Sequence, residues 1–451
     1  MEWAGKVDSQ QGDCKRGVAS AQQTPRRDKP TTEFSLADFP PRPRAVAERR
    51  ARCRLDTLGA NPNLQRGPGC GGKPTGGCRA SQNRMFVPLQ HIIARLRAFI
   101  SSPGSRDDAT FDSLALELFG FQFANNPALR RLCEVRRATP DRLACWREIP
   151  AIPTRAFKEF EVSCLPTPER SRVFHSSSTT GQQPSRHFHC DESLAVYEAS
   201  LQPWFGRHLL AGGFRGRMLS LTPSAADAPH SSLAHMLHVL AGREAFVSAW
   251  FAGRVGGDGS WHLDGASTTA ALVEACVEQI PVLLAGTAFS FVHLLDHLKE
   301  TKTSLQLPEG SRVMETGGYK GRSRVLTKAE LHRQLTDHLG MQSDFIVCEY
   351  GMSELSSQAY DQVAGCPRRQ QSGARIFCFP PWARAVVISP ETGSEVADGA
   401  TGLLRIFDLA NVCSALAIQT EDLAIRHGDG FTLLGRAEHA EPRGCSLLPA
   451  G

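Results

Sequence analysis

Three short apolar runs constrain this chain more than any other feature: Arg217-Met218-Leu219-Ser220-Leu221, Pro281-Val282-Leu283-Leu284 and Phe345-Ile346-Val347-Cys348. Each is bounded by loop residues and followed by a segment of helical periodicity. Runs too short for a buried helix and apolar on both faces read as strands covered from both sides, which is the pattern of an α/β domain. Further along, Ala385-Val386-Val387-Ile388 and Gly402-Leu403-Leu404-Arg405-Ile406-Phe407 flank Pro390-Glu391-Thr392-Gly393, a turn sequence that predicts a hairpin or meander.

Upstream the period changes. Leu89, Ile92, Ile93, Leu96, Phe99 and Ile100 fall on one helical face. Second and third stripes run through Phe111, Leu114, Leu118 and Phe119, and through Leu129, Leu132 and Val135, which gives residues 85–148 a helical N-terminal region. Residues 1–84 are Pro-, Gly- and Arg-rich, as in Gly67-Pro68-Gly69-Cys70-Gly71-Gly72, and hold too little apolar surface to offset the entropy of ordering. The expectation for them is a disordered basic tail or a start called too early, since Met85 directly precedes the first helical stripe.

Charge separates the same two parts. Residues 1–84 carry 16 Lys/Arg against 8 Asp/Glu, whereas the remainder carries 35 against 38, so the formal +5 of the whole chain comes from the tail. A nucleic-acid-binding face on the folded part is not expected. Ten cysteines are scattered singly after residue 85, and Cys70 and Cys78 lack histidines at zinc spacing, so reduced thiols and a cytoplasmic setting are expected. The longest uncharged stretch, 280–295, contains Pro281, Gly286 and His293 and falls short of the ~20 residues of a membrane span. It reads as ordinary core. His230, His235 and His238 lie on a loop-to-helix stretch without matching carboxylates and read as core and surface histidines.

Four segments carry chemistry. In Ser176-Ser177-Ser178-Thr179-Thr180-Gly181, small hydroxyl residues allow backbone N–H groups and side-chain hydroxyls to converge on a phosphate. Gly317-Gly318-Tyr319 lets a flat ring lie against backbone and be stacked by the tyrosine. Tyr350-Gly351-Met352-Ser353-Glu354 follows a strand and presents a carboxylate, a hard oxygen ligand suited to Mg²⁺ beside phosphates. In Thr420-Glu421-Asp422, the aspartate suits the two hydroxyls of a ribose. Asp429-Gly430 then marks a turn before Leu434-Gly435-Arg436.

The order of these segments resembles the motif set of the acyl-adenylating superfamily from about residue 150 to 443. A narrower resemblance, to the acyl-protein synthetase family, rests on Ile149-Pro150-Ala151-Ile152-Pro153-Thr154-Arg155-Ala156-Phe157-Lys158, on the hydroxyl-rich loop, on Thr316-Gly317-Gly318-Tyr319-Lys320-Gly321 and on Arg443-Gly444-Cys445-Ser446-Leu447. Leu114–Phe123 also resembles that family's N-terminal helix. The chain departs from the superfamily in having Ser178 where the loop carries Gly, and Gln183-Pro184-Ser185-Arg186 where a lysine follows.

The resemblance implies an α/β acyl-adenylating large domain (149–436) with a severely shortened C-terminal domain, whose tail (437–451) carries Cys445. It implies ATP and Mg²⁺ as cofactors, a fatty acid as substrate, formation of acyl-AMP, and transfer to Cys445 as a thioester for delivery to a reductase subunit. Glu354 would hold the metal, with Tyr350 and Gly351 in the nucleotide-binding turn. Gly317, Gly318 and Tyr319 would flank the adenine, and Asp422 and Arg436 would reach the ribose or phosphate. A CoA ligase of the phenylacetate type and a non-catalytic nucleotide-binding scaffold are the alternatives.

Overall fold

The structure, a computed structural model, describes residues 88–101, 107–176, 183–317, 326–366 and 375–437. The chain begins with α1 (Leu89–Ser101), α2 (Asp108–Asn125) and α3 (Pro127–Val135). Then come β1 (Ile152–Pro153), α4 (Ala156–Glu159), β2 (Arg172–His175), β3 (Arg186–His189), α5 (Asp191–Leu209), β4 (Gly216–Ser220), α6 (Ser232–Ala241), β5 (Phe246–Phe251), β6 (Gly253–Val255) and β7 (Trp261–Leu263). Next follow α7 (Gly265–Glu278), β8 (Val282–Thr287), α8 (Ala288–Glu300), β9 (Arg312–Thr316), α9 (Lys328–Leu339), β10 (Ile346–Tyr350) and β11 (Ala359–Tyr360). β12 (Ala383–Ile388), β13 (Thr401–Asp408), β14 (Ala417–His427) and β15 (Gly430–Arg436) complete the described elements.

The three apolar runs are β4, β8 and β10, which with β9 form the parallel centre of a six-stranded sheet ordered β11-β10-β9-β8-β4-β5. Alternation along these strands sorts their side chains to two faces. Met218, Leu283, Ala285, Met314 and Val347 pack under α5 and α6, beside Tyr197, Phe205 and Leu237. Leu219, Val282, Leu284, Val313 and Ile346 pack under α7, α8 and α9, beside Leu272, Phe291 and Leu335. Helices on both faces account for strands without a polar side. The helix starts are fixed locally. Ser231, Asp264, Thr287 and Thr327 cap α6, α7, α8 and α9, each accepting from a backbone N–H three residues on.

A second sheet, ordered β1-β14-β13-β12 with β15 on β14, holds the expected hairpin, because Val387 pairs with Leu404 and Ile388 with Leu403. The turn signal at Asp429 joins β14 to β15, which are 11 and 7 residues long. Helices α1–α3 cover one side of this sheet, where Trp146 meets Phe111 and Phe407 edge-on at 5.3 and 4.7 Å. The expected helical region is thus seen from Leu89, and its three stripes are the buried faces of α1, α2 and α3. Val135 is the exception, lying exposed at the end of α3. Residues 280–295 are core, with β8 wholly buried and α8 nearly so. No helix among the described residues is long and apolar enough to cross a membrane.

Candidate active site

In an open parallel sheet the loops after the strands' carboxyl ends converge on one edge, where ligands bind. β9 ends into Gly317 and β10 ends into Gly351. Gly317 has φ +78°, which explains a glycine directly after the strand. At Gly351 a Cβ would come within 2.3 Å of Glu349 Oε1, so any side chain there would displace that buried carboxyl.

The turn after Gly351 places Glu354 inside the protein, 1% exposed, rather than on a surface helix. Its Oε1 accepts from Ser185 Oγ at 2.8 Å and its Oε2 from Ser353 Oγ at 3.2 Å. Ser185 belongs to the base of the hydroxyl-rich loop, because its N–H donates to Ser176 Oγ at 2.9 Å while Ser176 N–H donates to Ser185 O at 3.2 Å. One carboxylate therefore ties the loop base to the turn. His187 on β3 reinforces the tie by donating from Nδ1 to Ser353 O at 2.8 Å. Burial pushes its pKa down to about 4, so the ring is neutral.

A second group lies at the end of β10. Tyr350 donates its hydroxyl to Asp422 Oδ2 at 2.7 Å, and Arg436, opposite Asp422 in the β14–β15 register, reaches Oδ1 at 3.4 Å. Arg436 also lies 3.4 Å from Glu421, yet its two terminal nitrogens are buried without a hydrogen-bond partner among the described residues. The four N–H donors of these two nitrogens are rarely left so, and an oxygen-rich ligand beside Asp422 would satisfy them. The ring of Tyr350 meets Phe377, Phe379 and Phe431 edge-on at 5.4–6.2 Å, which fixes its direction.

Of the residues singled out from sequence, Ser176, Gly317, Tyr350, Gly351, Glu354, Asp422 and Arg436 are described, and contacts join Ser176 to Glu354 through Ser185 and Tyr350 to both Asp422 and Arg436 through the aspartate. Ser177, Ser178, Thr179, Thr180, Gly181, Gly318, Tyr319 and Cys445 lie outside the described residues, as do residues 1–84 and the tail beyond Ala437.

Other functional residues were not read from sequence. Asp408, fully buried at the end of β13, accepts from Ser356 N–H, Ser357 Oγ and Ala410 N–H at 2.7–3.0 Å, and burial pushes its pKa up to about 6. Asn411 donates to Glu354 O at 2.8 Å. Together they hold the turn that carries Glu354, and the only sequence signal was two polar residues at the end of a strand and in the turn after it. The histidine reading needs one correction. His230 and His238 are exposed and His235 is buried, but His235 does have a carboxylate, Glu198 from α5, at 3.0 Å from its Nε2. The partner was invisible because it lies 37 residues away on another helix.

Glu315, His332 and Cys348 bring three ligand-type atoms within 4.8 Å of one another under the sheet. Lys328 Nζ stands 3.7 Å from Glu315, and Arg375 lies 3.3 Å from the Cys348 sulfur while paired with Asp361. Burial works against the Glu315 charge, but Lys328 and His332 outweigh it and hold the carboxyl down at about 2. With Cys348 kept a neutral thiol by burial, the charges already close, and a divalent ion would enter beside two cations.

For Glu349, on the other face of β10, burial outweighs the pull of Lys328. Burial pushes its carboxyl up to about 7, against a hydrogen bond from Thr316. A carboxyl whose folded pKa exceeds its unfolded value of 4.5 keeps its proton longer in the native state, so the stability it contributes is full below pH 4.5 and lost as pH rises to 7. Glu349→Gln is expected to remove that slope. In urea titrations from pH 4 to 8, the wild type should lose about 3 kcal/mol relative to the variant across this window, and parallel curves would contradict the assignment.

Comparison with solved structures identifies the fold as that of the adenylate-forming ligases. An open form of 2-hydroxyisobutyryl-CoA ligase with 2-HIB-AMP and CoA aligns with a TM-score of 0.52 at 15% identity, covering 75% of this chain and 78% of that one. The same ligase in its thioesterification state gives 0.51 at 15% identity, covering 78% and 70%. The family model "Acyl-protein synthetase, LuxE" matches residues 261–449, a stretch that includes Gly317, Tyr350–Glu354, Asp422, Arg436 and Cys445. A long-chain-fatty-acid–luciferin-component ligase of Aliivibrio fischeri is 24% identical over 353 residues, covering 75% of this chain and 87% of its own length. The resemblance to the acyl-protein synthetases read from the motifs therefore holds in both sequence comparisons, and the chain is related to them.

Proposed function

We propose that this chain is an AMP-forming acyl-protein synthetase that activates a carboxylic acid with ATP and passes the acyl group to its own Cys445. The observation that carries this reading is the pair of linked groups at one sheet edge: the loop base with Glu354, and Tyr350 with Asp422 and Arg436. The first suits phosphates and the second suits a ribose, and both flank the end of β10, so one nucleotide would span them.

The donor set fits a magnesium–nucleotide. Glu354 uses one lone pair of each oxygen on a serine hydroxyl and keeps another on each, and a hard carboxylate oxygen beside a phosphate loop is what Mg²⁺ takes. When bound, the ion would neutralise phosphate charge. The chain's own groups do the rest. Ser176, Ser177, Thr179, Thr180 and Gly181 cradle the phosphates, Gly317, Gly318 and Tyr319 flank the adenine, and Asp422 accepts from the ribose hydroxyls. A substrate carboxylate oxygen then bonds to the α-phosphorus as the bond to pyrophosphate breaks, giving acyl-AMP. Attack by the Cys445 thiolate on the acyl carbon forms the thioester, breaks the acyl–oxygen bond and releases AMP. Positioning and charge neutralisation supply most of the acceleration in such transfers. The similarity to a long-chain-fatty-acid–luciferin-component ligase supports a fatty acid as substrate and a reductase subunit as acceptor.

ATP–pyrophosphate exchange with a panel of fatty and aromatic acids tests the first half-reaction. Exchange that depends on one acid class is expected. ATP binding without exchange for any acid would leave a nucleotide-binding scaffold instead, and acid-dependent AMP release that requires CoA, without self-acylation, would make the chain a CoA ligase. Within this reading, Asp422→Ala removes the acceptor of both Tyr350 and Arg436 and should raise the KM for ATP about 10- to 100-fold, roughly 1.5–3 kcal/mol, with a smaller change in kcat. An unchanged KM would remove Asp422 from the nucleotide site.

A further inference from the structure

Connections between strands usually run over the surface, where water satisfies their backbone groups. The connection from β13 to β14 does not, since every residue from Leu409 to Leu416 is buried. Several of its backbone groups find their partners on the N-terminal helices. Gln122, on α2, donates from Nε2 to Asn411 O at 2.6 Å and to Val412 O at 3.3 Å, and its Oε1 accepts from Leu416 N–H at 2.9 Å. Asn126, between α2 and α3, donates from Nδ2 to Ser414 O at 3.1 Å while its Oδ1 caps α3.

Gln122 stands where the period of α2 calls for an apolar side chain. Phe111, Leu114, Leu118 and Phe119 mark the buried stripe of that helix, and Gln122 continues it at 0% exposure. An amide is costly to bury unless it is bonded. Both N–H donors and the carbonyl oxygen of Gln122 are bonded, all to this one turn. The segment Leu114–Phe123, which carries the helical part of the family resemblance, therefore has a task besides packing.

The turn passes the restraint on. Asn411 donates from Nδ2 to Glu354 O at 2.8 Å, and its Oδ1 accepts from Ser356 Oγ at 2.7 Å. Gln122, Asn411, Ser356 and Glu354 are each at most 1% exposed, so the whole path lies in the core. We infer that Gln122 is a positioning residue for the adenylating centre: through it the N-terminal helices hold the β13–β14 turn, and through Asn411 that turn holds Glu354. This rests on the role given to Glu354 above and deepens it. A fully bonded buried network fixes its members in one arrangement, and partners behind a functional carboxylate set its aim.

Two measurements on the full chain test this: acid-dependent ATP–pyrophosphate exchange, and amide hydrogen exchange of the nucleotide-free protein. Gln122→Met keeps the length of the side chain and removes its three hydrogen bonds. It should lower kcat about 10- to 100-fold with a smaller change in the KM for ATP, because Tyr350, Asp422 and Arg436 lie outside the network. Amides of residues 353–357 should exchange faster in the variant, by about 10-fold. In a Glu354→Gln background the same substitution should cost little further, because its effect passes through Glu354. A substitution that only lowers stability costs the same factor in both backgrounds. Gln122→Glu covers the case in which the methionine variant does not fold. While protonated, its carboxyl has the shape of the amide with one donor and one acceptor, so its rate relative to wild type should rise as pH is lowered from about 8 to about 6. Equal losses in the two backgrounds, or unchanged exchange of the 353–357 amides, overturn the inference and leave adenylation intact. Absence of pyrophosphate exchange by the wild type with every acid overturns the adenylating reading and this inference with it.

Discussion

Glu354→Gln is expected to slow acid-dependent ATP–pyrophosphate exchange by about 10²- to 10³-fold, the range found when one preorganised electrostatic contact to a reacting centre is removed. The amide has nearly the shape of the carboxylate and can still accept from Ser185, so the loop base and the turn should keep their places. In the proposed arrangement, what is lost is the negative charge that faces the phosphates. The effect belongs in kcat more than in the KM for the acid, because the acyl chain does not touch this residue in the proposed arrangement. Glu354→Asp separates charge from reach: partial recovery with raised Mg²⁺ would support metal binding, whereas equal loss in both variants without any magnesium dependence would assign Glu354 to holding the turn only.

The second large effect is all-or-none. Cys445→Ala is expected to eliminate the hydroxylamine-labile acyl-enzyme that the wild type forms with ATP and a radiolabelled acid, because no thiol remains to receive the acyl group. The adenylate formed before it should then accumulate or hydrolyse, so AMP release slows while label appears in a small acid-extractable species. A Cys445→Ala protein that still carries hydroxylamine-labile label would place the thioester on another cysteine. Among the described residues Cys133, Cys190, Cys348 and Cys413 are buried, which makes the exposed Cys366 and Cys378 the first to examine.

What could be read from the sequence was whatever depends on neighbours along the chain. β4, β8 and β10 were legible because short, mainly apolar runs bounded by loop residues have few other solutions, and the β12–β13 hairpin because its turn residues sit between two such runs. The motif turn at Tyr350–Glu354 was legible for the same reason. The links between motifs were not. The bond from Tyr350 to Asp422 spans 72 positions, and that from Ser185 to Glu354 spans 169. Both depend on the order in which strands assemble, which local periodicity does not encode. Asp408 and Asn411 were missed because residues that hold the Tyr350–Glu354 turn look like any polar residues at the end of a strand. Glu349 was missed because alternation had to be fixed by the register with Thr316 before its side could be assigned.

The direct test of the account is the fate of oxygen. With the acid labelled by ¹⁸O in both carboxyl oxygens, turnover through an acyl-adenylate leaves one labelled oxygen on the phosphate of AMP, because that oxygen bonds to the α-phosphorus and stays there when the acyl group moves to the thiol. Mass spectrometry of the released nucleotide should show AMP heavier by one ¹⁸O per acyl group transferred. Label in inorganic phosphate together with ADP would mean attack at the γ-phosphorus and an acyl phosphate, and would contradict the account.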